Sequence, residues 1–151
     1  MSSPLPKNLP PDSIAAAMAR AEDAVAELAA DYTVWALDDV KRAEDAFALF
    51  KSEPGQRKAH LENLYRAAHD MKGQGGSFGF PLVTKIGHSL CRYLKGGEMG
   101  DANLPVIQAH ISALRLIVEK AIKGEGGPAG ARLIAKLESL AGQPAAQPPS
   151  N

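Results

Sequence analysis

Several things are scarce in this chain. Its one cysteine, Cys91, rules out an internal disulfide framework and fits a reducing compartment. An excess charge of either sign is missing, since 17 lysines and arginines stand against 17 aspartates and glutamates, so no overall field draws the chain to nucleic acid or anionic lipid. No apolar run approaches the roughly 18 to 20 residues that cross a bilayer. Residues 1–11, with prolines at 4, 6, 10 and 11, hold no apolar stretch that could serve as a signal peptide. β-Branched residues are sparse and no useful segment alternates with period two, which excludes a sheet. These absences predict a soluble, cytoplasmic, helical protein with no nucleic-acid or membrane partner.

At 151 residues one domain is expected. Residues 1–11 read as a disordered leader and 142–151, with Pro144, Pro148 and Pro149, as a disordered tail, leaving a domain over 12–141. Asp12 or Ser13 can cap a first helix whose Ile14, Met18, Ala21, Val25 and Leu28 recur at alternating spacings of four and three, a stripe expected to be buried along the bundle or against a second copy, with packing on the bundle the default. Asp38 or Asp39 can open a second, with Val40, Ala43, Phe47 and Phe50 on one face and Pro54-Gly55 at its end.

A third helix begins near Gln56 and buries Leu61, Leu64, Ala68, Met71, Gly75 and Phe78. Pro81 suits the first turn of a fourth, with Leu82 or Val83, Ile86, Leu90 and Leu94 inward, stopped by Gly96-Gly97. A fifth over 104–123 carries Ile107, Ile111, Leu114, Val118 and Ala121, and a short sixth carries Leu133, Ile134, Leu137 and Leu140. Short connections favour antiparallel neighbours. The expected fold is therefore all-α: an antiparallel up-and-down four-helix bundle with an extra N-terminal helix and a short C-terminal helix.

The third helix departs from pure packing. Gly73, Gly75 and Gly76 lie within or beside its pattern, although each glycine in a helix interior costs about 0.8 to 1.0 kcal/mol relative to alanine. Glu62, Tyr65, Arg66, His69, Lys72, Gly73 and Gly76 share one face at spacings of three and four. His69 follows the buried Ala68 position, so its imidazole should point to solvent with Gly73 and Gly76 leaving open space beside it. A histidine ring is substantially neutral near pH 7, which makes a ring nitrogen available as a nucleophile without a dedicated base. Lys72, one turn on, can offer positive charge to an incoming phosphoryl group.

The segment resembles the histidine-containing phosphotransfer family, whose pattern His-x-x-Lys-Gly-x-x-Gly-[Ser/Thr]-x-Gly is met by His69, Lys72, Gly73, Gly76, Ser77 and Gly79. The resemblance implies an antiparallel four-helix bundle, here over about residues 38–123. It also implies a phosphoryl group carried on His69 between receiver-domain aspartates, with Lys72 stabilising it and Gly73, Gly76 and Gly79 clearing the approach. Expected partners are receiver domains of response regulators or hybrid histidine kinases, contacting Tyr65, Arg66, Lys85 and His88. Magnesium would sit on the receiver, leaving this chain with no cofactor and no metal.

Within the family the chain is most similar to the phosphotransfer domain of chemotaxis histidine kinases, through 66–69, Phe78-Gly79-Phe80 and an additional C-terminal helix. His88 falls where those domains carry a second histidine. Cys91 stands where they carry a glutamate that hydrogen-bonds the reactive imidazole. No ATP-binding domain follows, so the chain is expected to be a phosphotransfer intermediate and not a kinase.

Other readings compete. A non-phosphorylated helical adaptor binding receivers or kinases is the alternative, disfavoured because His69 and Lys72 are both present. Residues 75–79 also satisfy Gly-x-Ser-x-Gly, but a hydrolase elbow built on Ser77 must follow a strand. His88 and Cys91 are too few for a metal site. His60 and His110 are expected at the surface or the edge of a stripe, and oligomeric state stays open.

Overall fold

The computed structural model describes residues 13–142. Five helices account for most of them: α1 (Ile14–Ser52), α2 (Arg57–Gly75), α3 (Pro81–Leu94), α4 (Leu104–Glu119) and α5 (Gly127–Ala141). Short 3-10 turns, Pro54–Gln56, Gly76–Phe78 and Asp101–Asn103, connect the first four. The fold is the expected all-helical bundle. α1 packs on α2 and α4, α3 closes the ring against the same two helices, and α5 lies outside against α3 and α4. The expected leader, and the expected tail beyond Gly142, lie outside the described residues.

The first two expected helices are one. α1 runs unbroken for 39 residues, about 58 Å at 1.5 Å per residue. Ser13 caps it, accepting the Ala16 N–H at 3.0 Å. Neither Asp38 nor Asp39 opens a new helix, because the alanine-rich segment around them holds no glycine or proline to interrupt the hydrogen-bond ladder. Asp39 instead pairs with Arg42 at 2.8 Å, one turn along the same helix. Burial outweighs that partner and raises the Asp39 carboxyl above its ordinary value.

The N-terminal stripe is not buried. Ile14 is 81% exposed, Met18 59%, Val25 65% and Leu28 47%, and the first fully sheltered position is Ala29. Here α1 projects past the end of the bundle. A 4-3 period establishes which side chains share a face, but not that another element lies against it. From Tyr32 onward the same helix enters the core through Ala36, Val40, Ala43, Phe47 and Phe50.

Leu64, Ala68, Met71, Leu82, Val83, Ile86, Leu90, Ile107, Ile111, Leu114 and Val118 take the interior places expected of them. Ala121 does not: it is exposed, with φ of 50°, just after α4 has ended. The Ile122 N–H reaches back to the Ile117 carbonyl at 2.9 Å, the hydrogen bond of a helix terminus that turns left-handed.

His110 also departs from the expected place at the surface or the edge of a stripe, since it is wholly buried. It occupies the inward face of α4 between Ile107 and Ile111, and both ring nitrogens are satisfied. Nδ1 lies 2.8 Å from the Val106 carbonyl and Nε2 lies 2.8 Å from the Ser89 hydroxyl on α3. The carbonyl can only accept, so Nδ1 carries the proton and Ser89 donates to Nε2.

Burial holds the His110 pKa below its ordinary value. Its neutral form is therefore favoured by folding, and the unfolded chain takes up a proton first as pH falls. The associated stability is complete above the unfolded value near 6.5 and declines below it until the depressed folded value is reached. Melting temperature should drop between pH 7 and pH 5 more steeply in the wild type than in His110→Gln. Equal slopes would show that His110 does not carry the effect.

Candidate functional site

His69 lies on the exposed face of α2, between the buried Ala68 and Met71 positions that anchor this turn to the core. Its ring stacks on Tyr65, one turn earlier, with centroids 6.0 Å apart and planes 28° from parallel. The Lys95 ammonium lies 5.2 Å from the Tyr65 ring centre, close enough for a cation–π contact. Tyr65 and Arg66 also line an open hollow of about 500 Å³ with Leu61, Leu94, Lys58 and Lys95.

Beyond His69 the glycines leave open space on the helix. A Cβ built on Gly73 would meet nothing within 4 Å. Gly76 is nearly as open, its nearest neighbour being the Thr84 hydroxyl at 3.6 Å. Gly79 has φ of 88°, a backbone conformation that a side chain would strain, and it turns the chain into α3. Its carbonyl accepts the Gly124 N–H at 3.0 Å, tying the connection before α5 to the turn.

Gly75 has the opposite character. A Cβ there would fall 2.8 Å from the Phe80 carbonyl oxygen and 2.9 Å from the Thr84 nitrogen. The glycines of this segment thus divide into one that permits close packing and others that leave open surface.

Lys72 sits one turn after His69, half-buried where α2 meets α3. Gly87 makes room for it, since a Cβ on Gly87 would come within 3.1 Å of the Lys72 Cβ and 3.0 Å of the Ala68 carbonyl. The Lys72 carbonyl accepts the Thr84 hydroxyl at 2.9 Å, and the same hydroxyl accepts the Gly76 N–H at 2.7 Å.

Cys91, further along α3, is buried. Burial pushes its thiol pKa up, against a smaller pull downward from the nearby Lys72 and Lys95 charges. Among the described residues no hydrogen bond joins Cys91 to His69.

His88 is exposed on α3, with no hydrogen bond or ring contact to His69 among the described residues. Lys85 is half-exposed and paired with Glu125 at 2.7 Å, across to the connection before α5. Ser77 lies in a 3-10 turn that follows a helix, and no strand exists among the described residues, so the hydrolase elbow has no scaffold. No three histidine, cysteine, aspartate or glutamate side chains gather around a metal-sized space among the described residues.

The sequence did not point to an aromatic brace behind the turn. Phe78 stacks on Tyr32 at 4.9 Å and meets Trp35 edge-on at 6.2 Å, while Phe80 lies 5.2 Å from Tyr32. Tyr32 is almost wholly buried, and burial, then Asp39, pushes its hydroxyl pKa up to about 12. α1 thereby fixes the far end of the glycine-rich segment. Arg42 adds a longer link from α1, 3.4 Å from Asp70 beside His69.

The helical ring presents the exposed His69 above a glycine-cleared face, the arrangement expected of a phosphotransfer module. The family model for the Hpt domain matches residues 27–124, well over half of the chain, so the protein belongs to the Hpt domain family. No curated protein and no solved structure matches it. Hpt domains are histidine phosphotransfer modules of two-component phosphorelays and work with receiver domains. No described helix is long and apolar enough to cross a membrane.

Proposed function

We propose that this chain is a phosphorelay intermediate in which His69 takes a phosphoryl group from the aspartyl phosphate of one receiver domain and passes it to the aspartate of another. The observation that carries the reading is the exposed imidazole of His69 beside the open space at Gly73, within the stretch that matches the family. A ring nitrogen attacks phosphorus in line, the new N–P bond forms, and the P–O bond to the receiver carboxylate breaks as that carboxylate leaves. Transfer onward reverses these bond changes on a second receiver. Such transfers depend on positioning and charge stabilisation more than on covalent assistance from the protein.

Lys72 supplies a positive charge one turn from the reacting nitrogen, and Gly73, Gly76 and Gly79 let the receiver approach. Tyr65, Arg66 and His88 lie on the surfaces that a docked receiver would meet. Lys85 can join them only by leaving Glu125. Magnesium belongs to the receiver in this scheme, and the chain acts in the cytoplasm without a cofactor of its own. The working unit is taken as residues 12–141.

Incubation with a receiver domain radiolabelled on its aspartate tests the reading. Transfer should give this chain a label that is acid-labile and base-stable, as an N–P bond is. Binding to the receiver with no label would favour the helical adaptor instead.

A further inference from the structure

We infer that Thr84 is a positioning residue for phosphoryl transfer, acting by splicing its hydroxyl into the end of α2 and so fixing where Lys72 stands. The inference rests on the reading of His69 as phosphoryl carrier. In a regular α-helix the Gly76 N–H would donate to the carbonyl of Lys72, four residues earlier. Here that donor and that acceptor are both engaged by one side chain from the neighbouring helix. Gly76 N–H donates to Thr84 Oγ1 at 2.7 Å, and Thr84 Oγ1 donates to the Lys72 carbonyl at 2.9 Å.

The bridge lies where α2 gives way to the 3-10 turn Gly76–Phe78. It holds open the last turn of a helix whose hydrogen-bond ladder is changing pitch. Two further contacts make the position specific. Gly75 brings its backbone against Thr84 so closely that a Cβ would lie 2.8 Å from the same hydroxyl oxygen. Gly87, three residues along α3, admits the Lys72 stem, so the carbonyl and the stem of Lys72 are both set by α3.

Consequently the register between α2 and α3 reaches the phosphoryl site through Lys72 and not through His69, whose ring contact is with Tyr65 on its own helix. Loss of the hydroxyl should let the end of α2 tighten or fray and move the Lys72 charge relative to the reacting nitrogen. The binding surface for a receiver would be left in place.

The test uses the full chain and a receiver domain radiolabelled on its aspartate, with single-turnover transfer measured at saturating chain. Thr84→Val should slow the transfer step by about tenfold, as small misplacements near a reacting centre do. The dissociation constant for the unphosphorylated receiver should stay within about twofold. Thr84→Ser, which restores a hydroxyl, should recover the wild-type rate, and Thr84→Ala should show the same loss as valine if valine packs poorly. In Thr84→Val the amide of Gly76 should also exchange faster with solvent.

Transfer at the wild-type rate in a folded Thr84→Val or Thr84→Ala would overturn the inference, whatever happened to melting temperature. So would a serine variant as slow as valine. A wild-type chain that binds the receiver and takes no label would instead bring down the carrier reading, and this inference with it.

Discussion

His69→Gln is expected to abolish the acid-labile label completely while leaving the fold and receiver binding close to wild type. Glutamine keeps a polar side chain of similar reach on an exposed helical face, and its helix propensity is no worse than that of histidine. The substitution forfeits the stack on Tyr65, a contact at an exposed surface. Stability should therefore change by less than about 0.5 kcal/mol, the usual range for exposed substitutions. Catalysis has no such tolerance, because an amide offers no nucleophilic ring nitrogen. Residual label in this variant would place the phosphoryl group elsewhere, and its stability in acid would then distinguish a hydroxyl ester from a second phosphohistidine such as His88 or His60.

The second large effect is a contrast between neighbouring glycines. Gly73→Ala should stabilise the protein by about 0.8 to 1.0 kcal/mol, because alanine is the better helix former and its methyl group meets open space. Gly75→Ala should destabilise it, by about 1 to 3 kcal/mol, because its Cβ would press on the backbone of Phe80 and Thr84 and force the two helices apart. Denaturant midpoints of the two variants would measure both. A larger residue at Gly73, such as glutamine, should keep the stability yet slow transfer at least about tenfold by standing between the imidazole and a docked receiver. If Gly73→Gln transferred as fast as the wild type, the open space beside His69 would have no part in the approach.

That contrast shows how far the sequence could be read. His69, Lys72 and Gly73 were legible because their relation is local: three positions within a turn or so of one helix, where spacing alone dictates a shared face. Gly75 belongs to the same cluster but does a different job, one defined by Phe80 and Thr84 across a turn. Thr84 and Gly87 were unreadable for the same reason, since what they do depends on the register between two helices. Glycine at position 87, inside an otherwise strong helical pattern, was the one available signal of a close approach.

His110 carries the same lesson in the core. It was expected at the surface or the edge of a stripe because a buried imidazole needs partners, and the one that makes burial possible, Ser89, lies 21 positions away on another helix. The bundle itself was legible because each helix buries a periodic face. The continuity of α1 was missed because two adjacent aspartates can cap a helix or sit on its surface, and only the absence of a breaker beside them decides which. The exposure of Ile14, Met18, Val25 and Leu28 was missed because hydrophobic spacing does not report what lies opposite.

That exposed N-terminal stretch of α1 divides the molecule into two thermal regimes. An isolated helix of about fifteen residues is marginal in water even when rich in alanine. The backbone of residues 14–28 can therefore open and reclose by fraying from the N-terminal end of α1, at a small fraction of the unfolding free energy. Residues from Tyr32 to Phe50, pinned between α2 and α4, exchange their amide hydrogens only when the bundle itself gives way. One helix, continuous in its hydrogen bonds, thus belongs at one end to the solvent and at the other to the core, and the boundary falls at the tyrosine that stacks on Phe78.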